Sequence, residues 1–92
     1  MSSMNELVFV SNCIKYAVED VNTVFTQAQS IIRLSHVDTG VVRICTANSI
    51  GLRSAALELN AWAEDIVRRC FSKYGLIPIF YEGSISVEVD ND

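Results

Sequence analysis

The stretch LVFVSNCIKYAVEDVNTVFTQAQSIIRL, residues 7–34, decides how this chain is read. Leu7, Val10, Ile14, Ala17, Val21, Val24, Ala28 and Ile31 recur at alternating spacings of three and four, the signature of a helix seam. Val18, Phe25 and Ile32 add a second column at spacings of seven, widening the seam to about three positions per heptad, as in a bundle helix with several neighbours. Ser3 and Glu6 have the spacing of a capping box, so the helix should begin near Met4. No proline or glycine follows until Gly40, and the period predicts helix to about Leu34, some 45 Å at 1.5 Å per residue.

Working outward, residues 35–40 gather Ser35, Asp38, Thr39 and Gly40, which reads as a bend with Asp38 or Thr39 capping a second helix over about 41–74. The stripe of that helix is Leu52, Ala56, Leu59, Ala63, Ile66 and Cys70, with Trp62 and Val67 on its flanks. Arg68, Arg69 and Lys73 suit its C-terminal dipole and Gly75 suits its end, while Asn48, Ser49 and Gly51 mark a kink or a break. After Gly75 the period falls to two. Ile77, Ile79 and Tyr81, then Ile85, Val87 and Val89, flank Glu82-Gly83 and predict a short β-hairpin over about 76–89, with Pro78 on an edge.

The expected fold is therefore mainly α: one domain, residues 1–92, in which a long antiparallel helical hairpin (about 4–34 and 41–74) precedes the β-hairpin. Half of the residues are hydrophobic, more than a helical hairpin of this size can hide, so two copies are expected to pair as a homodimeric four-helix bundle with coiled-coil packing. The core and dimer seam would comprise Val10, Ile14, Ala17, Val21, Val24, Phe25, Ala28 and Ile31 from the first helix. Leu52, Ala56, Leu59, Trp62, Ala63 and Ile66 would supply the second.

Charge and motif content restrict function more than they define it. The formal net charge of −4 resides in Glu82, Glu88, Asp90 and Asp92, since seven acids and seven bases balance over residues 1–81. Such a balance argues against phosphate-backbone binding, although Arg43, Arg53, Arg68, Arg69 and Lys73 on the second helix offer a nucleic-acid reading as the alternative. Cys13, Cys45 and Cys70, odd in number and far apart, read as reduced thiols of a cytoplasmic protein; with no C-x-x-C spacing they do not read as metal ligands. Cys70, beside Arg69, is the thiol most open to activation. His36 lacks nucleophile or acid partners at a triad spacing, and Glu19-Asp20 and Glu64-Asp65 read as solvated surface acids. No membrane-spanning run, phosphate loop or cofactor motif occurs, and no residue is assigned as catalytic, cofactor-binding or metal-ligating.

The function expected from this is non-enzymatic: a small homodimeric regulator or inhibitor that binds another protein. The candidate partner-binding residues are Phe80, Tyr81 and Glu82 at the hairpin turn and the tail acids Glu88, Asp90 and Asp92. A structural subunit of a larger helical assembly is the further alternative. The outline of a compact, acidic, helical chain is similar to that of small phage-encoded inhibitors such as anti-CRISPR proteins, and no motif assigns the chain to that family.

Overall fold

The computed structural model describes residues 4–38, 40–50 and 57–90. The first helix, α1, spans Met4–Gln27 and stops where the apolar seam would have carried it on to Leu34. Gln29 takes a left-handed φ of 61°, its N–H donates to Thr26 O (3.0 Å), and the Ser30 N–H reaches back to Phe25 O (2.9 Å). That pair of bonds is a Schellman closure, built here on glutamine in the place where glycine is the usual signal. Beyond it lie β1 (Ile32–Asp38) and β2 (Val41–Thr46), then α2 (Ala61–Ser72), β3 (Leu76–Tyr81) and β4 (Ser84–Val89). The architecture is α+β. The helical hairpin, the four-helix bundle and the coiled coil are all overturned, because residues 32–38 and 41–46 form a strand pair and, among the described residues of the expected second helix, only 61–72 are helical.

The four strands among the described residues join one antiparallel sheet in the order β1-β2-β4-β3. Isoleucine and valine dominate its strands, and stiff β-branched side chains fit a pleated surface better than a helix. Gly40, at φ 82°, turns β1 into β2, and Gly83, also at φ 82°, turns β3 into β4. The two hairpins meet through Val41↔Ser86, Val42↔Ile85 and Arg43↔Ser84, extended by the Val87 N–H to Gly40 O (2.8 Å) and the Ile44 N–H to Gly83 O (3.0 Å).

Register assigns the faces. Leu34, Val42, Ile44, Ile85 and Leu76 lie on one face and are buried beneath Ile14, Ala17, Val18, Val21 and Phe25 of α1 and Ala63, Val67, Cys70 and Phe71 of α2. The helices run in opposite directions across that face: Trp62 stacks against Phe25 with ring centroids 5.7 Å apart, and Tyr74 lies 6.4 Å from Tyr16. Asn60 caps α2, its side-chain oxygen accepting from the Ala63 N–H at 2.8 Å, the role the bend at Asp38 or Thr39 was expected to fill.

The seam residues separate accordingly. Ile14, Ala17, Val21, Phe25 and Ala63 are buried within one chain, so they no longer call for a second copy. Val10, Val24, Leu59 and Ile66 are half-buried, and Ala28, Ile31 and Trp62 are exposed, Ile31 at 68%. Leu52, Ala56, Arg53 and Gly51, with any break there, fall outside the described residues, as do Ser3 and the side chain of Glu6.

Both outer strands are shielded against edge pairing. On β1 the Asn22 side chain accepts from the Leu34 N–H (2.8 Å) and donates to Leu34 O (2.9 Å), imitating a neighbouring strand; Ser30 Oγ accepts from the Ile32 N–H (3.1 Å). On β3, Pro78 faces Val87. Because the Val87 N–H is committed to Gly40 on the β2 side, strand alternation turns the backbone of Pro78 outward, where its missing donor costs no ladder bond. The hairpin edge expected to recruit a partner strand is thus blunted.

The lone histidine and the thiols occupy positions other than those expected. His36 lies on β1 opposite Val42 rather than in a bend, and its Nε2 is buried with no hydrogen-bond partner among the described residues. Asp20, read as a solvated acid, accepts a 2.9 Å hydrogen bond from the Tyr74 hydroxyl. That bond, together with burial and the negative charge of Asp20, raises the Tyr74 pKa above its ordinary 10.0. Burial raises Cys45 and Cys70 above the ordinary 9.0, against the opposing pull of Arg33 on Cys45 and of Lys73 on Cys70, so Cys70 is not an activated thiol. Each of these groups holds its proton more tightly folded than unfolded. The stability this contributes is complete below about pH 9 and is lost as pH rises past 9 and 10. Melting temperature should hold to about pH 9 and fall from there to pH 11, and Tyr74→Phe should flatten the decline above pH 10.

Candidate functional site

Where β2 runs past the start of β4, the β3–β4 turn bonds both to β2, through the Ile44 N–H, and to a second piece of chain. The Gly83 N–H donates to Leu57 O at 2.8 Å, pinning residues 57–59 against the β3–β4 turn, and the Asn60 cap then launches α2. Between these pieces opens a cleft of about 220 Å³ lined by Ile44, Glu58, Leu59, Glu64, Phe80, Tyr81 and Glu82. Ile44 supplies the buried floor, Leu59 and Phe80 are half-buried walls, and Tyr81 stands at the rim with 58% of its surface exposed.

Three carboxylates share the lining with these apolar side chains, and no lining residue is basic. Glu64 contacts Arg68, Oε1 to Nη2 at 3.4 Å, and the Arg68 guanidinium carbon lies 4.9 Å from the centre of the Phe80 ring. Glu58 and Glu82 are exposed and have no ion-pair partner among the described residues. The combination suits an amphipathic cation: an apolar stem against Ile44, Leu59 and Phe80, and a charged head among the carboxylates.

Three of the six candidate partner-binding residues, Phe80, Tyr81 and Glu82, meet in this cleft. Glu88 pairs with Ile77 and the Asp90 N–H donates to Gly75 O, which places both at the opposite end of the hairpin, about 20 Å away along six-residue strands. Asp92 lies outside the described residues. Sequence reasoning missed Ile44, Glu58 and Glu64 as partners of the turn. The available signal was Asn60, an N-cap residue that moves the helix start to Ala61 and leaves Glu58 in the preceding segment.

The arginine track considered for nucleic acid is interrupted by acids, Arg68 pairing with Glu64 and Arg69 with Asp65 (3.0 Å). Among the described residues no group of three His, Cys, Asp or Glu side chains is placed to hold a metal ion, and no helix is long and apolar enough to cross a membrane. Fold and cleft together define a small two-layer α+β protein with an acidic, apolar-floored groove at one end of its sheet. No known protein family, curated protein or solved structure matches the chain.

Proposed function

We propose that this chain is a small non-enzymatic protein-recognition module, a regulator or inhibitor that acts by seating a basic side chain of another protein in the cleft between the β3–β4 turn and the start of α2. The observation that carries this reading is the cleft itself: an apolar floor at Ile44 and Phe80 ringed by Glu58, Glu64 and Glu82, two of them without an internal counter-ion among the described residues. Apolar anchoring supplies affinity, and the carboxylates supply direction and partner choice. The cytoplasm is the proposed site of action, a compartment in which unpaired thiols such as those of Cys13, Cys45 and Cys70 persist.

Photo-crosslinking tests the reading. Benzoylphenylalanine placed at Tyr81, on the cleft rim, should trap one polypeptide in cells, while the same group at Ile77, further along β3, should not. Equal trapping at both positions, or none at Tyr81, would remove the cleft as the recognition site.

A further inference from the structure

The chain carries a guanidinium of its own beside this cleft, held by two residues of its lining although Arg68 is not itself one of them. Arg68 sits over the Phe80 ring at 4.9 Å and against Glu64 at 3.4 Å, a ring-and-carboxylate seat of the kind that selects arginine. We infer that the cleft is selective for an arginine side chain of the partner polypeptide and that Arg68 is its tethered competitor. This inference rests on the reading of the cleft as a recognition site.

Three features support the pairing of selectivity with displacement. The hold on Arg68 is loose: its side chain is 56% exposed, and 3.4 Å exceeds the 2.7–2.9 Å range of a strong charge-assisted bond. An incoming arginine would find a better seat, because it can enter against the Phe80 ring with Glu58 and Glu82 beside it, carboxylates that have no ion-pair partner among the described residues. The planar guanidinium is also more weakly hydrated than an ammonium and stacks on aromatic faces, so lysine gains less from the same walls. A phosphate-bearing partner is disfavoured by the same carboxylates.

The test is a titration of the full chain, followed by amide NMR and calorimetry, with acetyl-Gly-Arg-Arg-Gly-amide and its lysine and citrulline counterparts. The arginine peptide should shift the amides of Glu58, Leu59, Glu64, Phe80, Tyr81 and Glu82 and bind about fivefold more tightly than the lysine peptide; the uncharged citrulline peptide should not bind. The double variant Glu58→Gln, Glu82→Gln should weaken the arginine peptide about fivefold or more. Arg68→Lys keeps the charge but weakens the stacking, and should tighten the arginine peptide about threefold. Equal affinity for arginine and lysine, shifts centred elsewhere, or no response to Arg68→Lys would overturn the inference. A partner trapped at Tyr81 without any preference for arginine would overturn it while leaving the recognition site standing.

Discussion

Val21→Asp should abolish the cooperative unfolding transition, leaving a chain with no sharp melting step in circular dichroism. Val21, on α1, is fully buried in the core that also holds Val18, Phe25 and Leu34, and among the described residues no polar or charged residue is buried. An aspartate there meets no donor or cation. Burying an unpaired carboxylate costs several kcal/mol, the lost valine burial adds about 2 kcal/mol, and the sum matches the whole stability of a small domain, about 5–10 kcal/mol. Two controls give the result its meaning. Asn12→Asp, on an exposed position of the same helix, should change stability by less than about 0.5 kcal/mol. Ile31→Asp should be equally mild, because Ile31 lies beyond the end of α1 at 68% exposure; a helix seam continuing through that position would make it as damaging as Val21→Asp.

Asn22→Ala should lower the unfolding free energy by about 2 kcal/mol and make the protein associate as its concentration rises. The Asn22 amide makes both the donor and the acceptor bond to Leu34, each worth about 1 kcal/mol net. Alanine also leaves the Leu34 N–H and C=O unpaired on the outer edge of β1, where another strand can dock. Asn22→Asp separates the two roles, since it retains an acceptor for the Leu34 N–H but offers no donor to Leu34 O. Urea titration reads the stability, and light scattering reads the association. Unchanged stability together with a monodisperse Asn22→Ala protein would mean that the clamp does not guard this edge.

Much of the fold was legible in the residues, and the part that was not has identifiable causes. The buried stripe of α1 from Ile14 to Phe25 and the hairpin about Glu82-Gly83 follow directly from apolar period and turn chemistry. The end of α1 was hidden because Gln29 performs the left-handed closure that glycine usually announces, and because Ala28 and Ile31 continue the helical spacing by coincidence. Past that point Ile32-Arg33-Leu34-Ser35 alternates with a period of two, and Val41, Val42 and Ile44 are β-branched. Those local signals for β1 and β2 were outweighed by the longer period preceding them. Ile14, Ala17 and Val21 belong to a core in either reading; only the partner surface differs, a sheet of the same chain rather than the helices of a second one.

The cleft illustrates a different limit. Phe80, Tyr81 and Glu82 could be singled out because a turn with aromatic and acidic residues at its rim is visible in one short segment. Ile44, Glu58 and Glu64 join them only through the β2–β4 pairing and the Leu57–Gly83 hydrogen bond, contacts between distant parts of the chain that no local period encodes. The acidic tail, by contrast, was conspicuous as a charge run, yet Glu88 and Asp90 sit at the far end of the hairpin.

Everything proposed for this protein depends on the three residue pairs that join β2 to β4, since without them Ile44 and Glu58 never meet the β3–β4 turn. The direct measurement is the set of nuclear Overhauser contacts between Val42 and Ile85 and between their neighbours Val41–Ser86 and Arg43–Ser84 in the isotopically labelled chain. Cross-strand contacts at these pairs, with extended-strand shifts over residues 41–46, are the result the α+β account predicts. Sequential amide–amide contacts of a continuous helix through residues 41–46, with none to residues 84–86, would contradict it and dissolve the cleft.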